Sequence, residues 1–313
     1  FLFGMAMLAF AKNGAEYAVL ETGLGGRLDA TNAVESPAAS VITSIGLDHE
    51  QYLGDTLAKI AFEKAGIIKP HVPVYYAQTS EESDTVIEKE AEKCGSSCKK
   101  IGKDAYEILG IKDKHIAFSC LNDYYGTTTW KLNNIGLYQP HNALLAMEVM
   151  RGLFGEDGHP KRWKEALEAV RWQGRMEEVL PGVYVDGAHN ISAVEAFAET
   201  ARKAGRTDAI LFSAVQDKDY EEMIKYLCRH TDAACYIVTQ IEDARGTRAE
   251  KLGELFRKYT DKPVHEIRSV RDAFAYAAGQ KRDGNVYCLG SLYLTGMIEG
   301  YLKQKTIQDW GGK

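Results

Sequence analysis

The chain has 313 residues, 45% apolar and 26% charged, an ordinary globular composition with room for about two domains. Lys and Arg number 38 against 44 Asp and Glu, a net charge of −6. That leaves no basic excess to grip a nucleic-acid backbone or an anionic membrane, so small molecules are the expected partners, not nucleic acid and not membrane.

The first ten residues, Phe1 to Phe10, are almost wholly apolar. The run is short of the roughly 20 apolar residues a membrane span needs, and no basic leader or cleavage site marks it as a signal peptide. It predicts a buried helix that packs on a strand beginning at Tyr17, with the chain entering part-way into a domain. That strand is Tyr17-Ala18-Val19-Leu20-Glu21, followed by the glycine-rich Thr22-Gly23-Leu24-Gly25-Gly26-Arg27-Leu28-Asp29-Ala30-Thr31-Asn32. A second apolar run, from Ser40, leads through Gly46 and Asp48 to His49, and a helix-like stretch carries Phe62-Glu63-Lys64-Ala65-Gly66-Ile67. A strand is expected at Pro73–Ala77 and a charged helix from Glu81 to Lys93. Tyr106–Leu109, His115–Phe118 and Thr127–Leu132 are short runs bounded by Gly, Asp and Asn, and read as antiparallel strands added at the sheet edge. Pro140 stands at a helix start, with strong helix formers from Asn142 to Phe154.

A domain boundary is expected near Glu178–Gly182, giving domains 1–177 and 178–313. Beyond it strands and amphipathic helices alternate. Strands are expected at Val183–Asp186, Ala209–Ser213, Cys235–Thr239 and Asn285–Leu289. Asn190 caps a helix with Ile191, Val194, Phe197, Ala198 and Ala201 on one face, and Thr247 with Glu250 forms a capping box for a later helix. The fold class is therefore α/β: a mostly parallel sheet with a small antiparallel edge, then a second, Rossmann-like α/β domain. Six cysteines are scattered. Cys94 and Cys98 lack a second ligand pair for zinc, and most of the others lie in strand- or helix-like runs as reduced core thiols, which points to the cytoplasm.

In an open parallel sheet ligands bind at the carboxyl ends of strands. Glu21 and His49 both fall there. Each alone has a plain explanation, a solvated carboxylate and a structural histidine; together they suit a Mg²⁺ that keeps several waters and a phosphate oxygen. Lys64 is either a surface lysine or a partly buried amine able to deprotonate, take up CO₂ and serve as an extra carboxylate. Asp186-Gly187-Ala188-His189-Asn190 is a tight capped turn or an anion-binding βα crevice. Arg175, in Trp172-Gln173-Gly174-Arg175-Met176, makes a surface ion pair or grips a phosphate. Asn142 opens a helix or bonds a base edge. No Gly-x-x-x-x-Gly-Lys-Ser/Thr loop occurs in the sequence, and glycines 23, 25 and 26 do not make the dinucleotide fingerprint, which weighs against a dehydrogenase.

Residues 21–32, Ser44–His49, Glu63–Lys69, Gly174–Glu177 and Asp186–Asn190, together with Phe212-Ser213 to Asp219 and Gly290–Tyr293, resemble the folylpolyglutamate synthases, a branch of the Mur-type amide ligases. The resemblance covers nearly the whole chain. It implies a central ATPase domain and a C-terminal glutamate-ligase domain. It also implies ATP-dependent addition of L-glutamate to the γ-carboxylate of a reduced folate through an acyl phosphate, with dihydropteroate as a second acceptor in bacterial members. Glu21 and His49 would hold Mg²⁺ and Lys64 would be the carbamylated lysine. Asn142, Arg175 and Asp186 would hold adenine, phosphate and ribose; His189 and Ser291 would line the ATP and glutamate side. The family carries its phosphate-binding loop ahead of the point where these residues start, so the sequence reads as a fragment, and the 313 residues alone are expected to bind ATP poorly and not turn over. A monomer is expected. A related cell-wall or cyanophycin-type ligase, or a non-catalytic nucleotide-binding fragment, are the competing readings.

Overall fold

The computed structural model describes residues 1–112, 114–155 and 160–310. Contacts divide the chain into two units, Phe1–Tyr106 with Cys120–Gly126 and His141–Pro160, and Glu107–Ser119 with Thr127–Pro140 and Lys161–Lys313. A single boundary at 177/178 does not describe this partition. The stretch after Tyr106 and the segment ahead of 178 belong to the second unit because they bond within it: Ile116 N–H donates to Asn134 O at 3.1 Å, Asn134 Nδ2 to Arg175 O at 2.6 Å, and Lys114 pairs with Glu178 at 2.6 Å.

The chain opens with helix α1, Leu2–Lys12, as the composition predicts, yet none of its residues is buried. Phe1 is 100%, Leu2 79% and Leu8 73% exposed. The expectation of a buried helix fails because propensity is local, whereas burial needs a facing surface, and α1 is apolar without one packed face. Tyr17 does not pack under α1 but meets Phe154 edge-on, ring centroids 5.5 Å apart. Nor is Tyr17–Glu21 a strand: Val19 is 98% exposed and the run joins no ladder. A strand is defined by its neighbour, and β-type residues alone do not make one.

The rest of the first unit follows the sequence pattern. Strand β1 is Ser40–Ile42, helices α2 and α3 are Glu50–Leu53 and Leu57–Ala65, β2 is Val74–Ala77, α4 is Glu81–Lys93 and β3 is Cys98–Ile101. β1, β2 and β3 pair in parallel, Val41 opposite Tyr75 and Tyr75 opposite Lys99. Ile42, Ile60, Ala61, Val74, Tyr76, Ile87 and Ala91 form the core between sheet and helices. Ser80 and Ser83 close a reciprocal capping box on α4, with acidic residues in its first turn and Lys93 in its last, as the macrodipole favours.

β4 (Tyr106–Lys112), β5 (His115–Cys120) and β6 (Thr129–Leu132) form a sheet of their own in the order β4-β5-β6, not an added edge of the parallel sheet. Ile116, Phe118 and Cys120 alternate inward along β5. Helices α5 (Gln139–Phe154) and α6 (Pro160–Ala169) follow.

The remaining elements are β7 (Glu177–Leu180), β8 (Val183–Val185), α7 (Ile191–Lys203), β9 (Thr207–Phe212), α8 (Tyr220–His230), β10 (Ala233–Val238), α9 (Ala249–Tyr259), β11 (Val264–Glu266), α10 (Val270–Gly279), β12 (Asn285–Leu289) and α11 (Leu292–Trp310). Their sheet runs β11-β10-β9-β12-β8-β7, parallel except for the antiparallel edge strand β7. Successive strand residues turn to opposite faces. Ile210, Phe212, Tyr236, Tyr287 and Leu289 meet α7, α8 and α9, while Ala209, Leu211, Ile237, Val286 and Cys288 meet α10 and α11. Both faces are covered, which is why these strands read as continuous apolar runs. β12 sends its chain to one face and its neighbours β8 and β9 send theirs to the other, so the crevice of this sheet opens at the carboxyl end of β12. Asn190 caps α7 as expected, accepting from Ala193 N–H. The Thr247–Glu250 box does not form: Arg248 is the N-cap of α9 without a side-chain bond, Glu250 pairs with Arg268 at 2.5 Å, and Thr247 Oγ1 is buried without a partner. The nearby cation outcompetes a reach back to the backbone. All six cysteines are free, with Cys120, Cys235 and Cys288 buried.

Candidate active site

In the first unit the glycine-rich loop folds on itself before it meets anything else. Asp29 Oδ2 accepts from the backbone N–H groups of Gly23 and Leu24 at 3.0 and 3.1 Å, and its Oδ1 from Thr31 N–H and O–H at 2.9 and 2.6 Å. Burial pushes this carboxyl up, but those donors outweigh it and hold it below its usual range. The loop is then pinned to the end of α3: Arg27 N–H donates to Glu63 O at 2.8 Å, and its guanidinium pairs with the Glu63 carboxylate at 2.9 Å. Gly26 is required here, since a Cβ would stand 2.8 Å from Glu63 O and 2.9 Å from Ile67 Cγ2.

That fixture leaves a cavity of about 200 Å³ lined by Thr22–Gly25, Gly46, Asp48, His49, Leu53, Ile60 and Lys64. Two loops and one helix that the sequence marks separately thus converge on Lys64. Burial lowers the Lys64 pKa, while the nearby Asp48 carboxylate pushes it back up. His49 adopts the left-handed conformation at φ 53°, uncommon for a residue with a side chain and found at strained functional positions. Its ring lies 3.9 Å from Asp48 Oδ2. Glu21, one residue ahead of the lining, is exposed. Among the described residues no three His, Cys, Asp or Glu side chains cluster as a ready metal cage. Asp48 is the cavity's own carboxylate, and the sequence marks it only within a motif; its place near Lys64, on helix α3, needs the fold. Asn142, on α5, is half-buried.

In the second unit the predicted residues gather at the ends of β8 and β12. Asp186, 4% exposed, accepts from Ala188 N–H at 2.8 Å through Oδ1, and from Met176 N–H at 2.8 Å and Tyr138 O–H at 3.2 Å through Oδ2. Burial pushes its carboxyl up, against those donors and the Arg175 charge. A carboxylate has about four acceptor sites, so one remains for a ligand hydroxyl. Gly187 N–H donates to Gly174 O at 2.7 Å, and a Cβ there would meet Leu292 at 2.4 Å and Arg175 Nη1 at 3.4 Å, so the Arg175 guanidinium lies against this turn. His189 Nδ1 is 2.8 Å from Gly187 O, which fixes Nδ1 as the protonated nitrogen. Gly290, at φ 107°, donates to Ala188 O at 2.9 Å. Ser291, 2% exposed, accepts from Tyr293 N–H at 3.1 Å. At the end of β9, the Ser213 and Thr247 hydroxyls are buried with no protein partner. The sequence marks Ser213 only within a motif and Thr247 only as a capping residue, and no local pattern marks Asn134 or Tyr138.

Comparison with known proteins gives this arrangement its relatives. Residues 4–150 match the Mur ligase middle domain and residues 174–292 the Mur ligase glutamate ligase domain. The dihydrofolate synthase/folylpolyglutamate synthase of Bacillus subtilis is 39% identical, over 95% of this chain and 70% of the relative. The chain belongs to the folylpolyglutamate synthase family of Mur ligases. A folylpolyglutamate synthase of Mycobacterium tuberculosis, solved with ADP and AMPPCP, superposes with a TM-score of 0.83 at 26% identity, covering 96% of this chain and 72% of that one. An E. coli FolC solved with DHPP and ADP gives 0.75 at 26% identity, covering 92% and 66%.

Proposed function

We propose that this chain carries the middle and glutamate-ligase parts of an ATP-dependent acid–amino-acid ligase that joins L-glutamate to the γ-carboxylate of a reduced folate, with dihydropteroate as a second acceptor. The observation that carries the reading is the cavity that gathers the Gly23–Gly25 loop, Asp48, His49 and Lys64. Mg²⁺ keeps most of its waters and takes only one or two protein ligands, and His49, on the cavity wall, with Glu21, one residue ahead of the lining, would hold it. Mg·ATP, when bound, supplies the phosphoryl group that activates the folate carboxylate as an acyl phosphate. The chain's own residues then have three tasks. Lys64, whose burial favours the neutral amine, would add that amine to CO₂ with loss of one proton to solvent, and the carbamate so formed would supply a carboxylate for the cation. Arg175 offers a forked donor to phosphate, Asn142 an amide to the adenine, and Asp186 its remaining acceptor site to the ribose. His189 and Ser291, with the orphan hydroxyls of Ser213 and Thr247, present polar groups suited to glutamate, whose amine attacks the acyl carbon and releases phosphate. Neutralising phosphate charge and keeping water from the acyl phosphate are the physical requirements.

We read the protein as a cytoplasmic monomer. Among the described residues no helix is long and apolar enough to cross a membrane. The test is ADP release with Mg·ATP, a reduced folate and glutamate, measured for the 313 residues alone and for the same residues joined behind the phosphate-loop segment of the Bacillus relative. Turnover that needs both folate and glutamate in the joined protein supports the reading. Turnover in neither protein, or turnover driven only by a cell-wall peptide acceptor, overturns it.

A further inference from the structure

Asn134 and Tyr138 lie in the loop between β6 and α5, and neither reads as functional in the sequence. Asn134 is 5% exposed; its Nδ2 donates to Arg175 O at 2.6 Å while its Oδ1 accepts from Gly136 N–H at 2.6 Å. Tyr138 O–H donates to Asp186 Oδ2, the same oxygen that accepts from Met176 N–H. The carbonyl of Arg175 and the N–H of Met176 are the two polar ends of one peptide group. Asn134 therefore holds one end of that plane, and Asp186, steadied by Tyr138, holds the other. The plane leads directly into Met176, which is 1% exposed and left-handed at φ 46°. Such a conformation persists only where its surroundings over-determine it.

We propose that Asn134 and Tyr138 are positioning residues that lock the Arg175–Met176 peptide plane and thereby aim the Arg175 guanidinium at the phosphate of a bound nucleotide. The inference rests on the reading of Arg175 given above. A planar fork is useful only when its direction is set, because bidentate contact with phosphate is lost on small rotations. Asp186 acquires a second duty in this scheme: besides its one open acceptor site, it is the anchor through which Tyr138 acts.

The experiment has two readouts. The first needs no nucleotide: the Nε–Hε resonance of Arg175, assigned with Arg175→Lys, is followed in Tyr138→Phe and Asn134→Ala. It should move in both while other arginine resonances stay in place. Tyr138→Phe deletes one hydroxyl and keeps the ring, so it serves if Asn134→Ala folds poorly. The second is ADP affinity, measured in the protein joined behind the phosphate-loop segment, in a double-mutant cycle. Tyr138→Phe should weaken ADP by about tenfold in the parent, the scale of one hydrogen bond to a charged group, and not at all when Arg175 is already Ala. An equal loss in both backgrounds overturns the inference, because Tyr138 would then act independently of Arg175. An unmoved Arg175 resonance overturns it whatever ADP does. A shifted resonance in a parent that binds no ADP upholds the locking, but removes the nucleotide role of Arg175 and with it the reading of that residue.

Discussion

In the first unit the residues around Lys64 keep contact with solvent: the side chains of His49 and Asp48 are 40% and 21% exposed, and the two residues bond through the His49 backbone N–H, which donates to Asp48 Oδ1 at 2.9 Å, while the ring stands 3.9 Å from Oδ2. In the second unit Asp186 is 4% exposed and bonded by three donors from three segments. Both sets of residues are marked by short glycine-containing motifs. What differs is the completeness of the protein's own bonding. The second set is assembled before any ligand arrives and uses buried hydrogen bonds to fix geometry. The first is a shell of donors around a small cavity, with a desolvated amine and a strained histidine whose partners would come from a cation and phosphate. Preorganisation and ligand demand are thus divided between the two units.

The sharpest way to break this comparison is Asp186→Ala. It strands Met176 N–H, Ala188 N–H and Tyr138 O–H, each worth about 1–3 kcal/mol when buried and unpaired, so urea unfolding should show a loss of about 3 kcal/mol or more. A change below about 1 kcal/mol would mean that the second site is no more preassembled than the first. Gly26→Ala asks the same of the first unit. Its new methyl has no room against Glu63 O and Ile67. We expect about 1–3 kcal/mol of destabilisation by thermal melting, and an unaltered melt would show that the loop is not seated on α3 as described.

Lys64→Met probes the desolvated amine through pH. The folded pKa of Lys64 lies below the model-peptide value of 10.5. Between those two values the unfolded chain binds more protons than the folded one, so stability rises with pH there. The penalty of burying the charged amine is full below the folded pKa and vanishes as pH passes 10.5. Lys64→Met should therefore melt higher than the parent at neutral pH, and the gap should close on approach to the upper value; a gap that widens would contradict the burial. Asp48→Asn removes the carboxylate that favours the charged amine, so under ¹³CO₂ it should strengthen the carbamate signal at neutral pH, and a weaker signal would remove Asp48 from that role. The smallest expected effect is Thr247→Val, which deletes a buried hydroxyl without a partner at nearly constant shape. It should leave stability unchanged or raise it by up to about 1 kcal/mol, whereas a clear loss would reveal a bond to the hydroxyl.

Much of this molecule is legible in its sequence, for reasons that differ by element. α4 and β12 fall on the residues expected because period and caps agree: Ser80 with acidic residues opens the one, and an unbroken apolar run makes the other. The βα pattern of the second unit is equally plain, since strands covered on both faces cannot be polar. Tyr17–Glu21 and α1 mislead because their apolar character speaks of burial without naming the surface that provides it. The Thr247–Glu250 box misleads because a capping pattern cannot register Arg268, eighteen positions beyond Glu250, which takes the carboxylate. Among the proposed site residues, Lys64, His49, Arg175 and Asp186 stand in polar motifs near glycines, and Ser291 enters through the family resemblance. Asn134 and Tyr138 could not be picked out, since their partners Arg175 and Asp186 lie some forty residues further along.

The sequence by itself determined the α/β class and the alternating strands and helices of the second unit, because these depend on periodicity and on residue types at close spacing, and its motifs carried the resemblance to the family. The tertiary structure decided which apolar runs found a partner, that the strands after Tyr106 form a separate sheet, that Asp48 faces Lys64, and that one peptide plane beside Arg175 is held from both ends. Those are matters of distance between residues remote in the chain. Hydrogen bonding, desolvation and charge act through space, and only the folded chain sets that space.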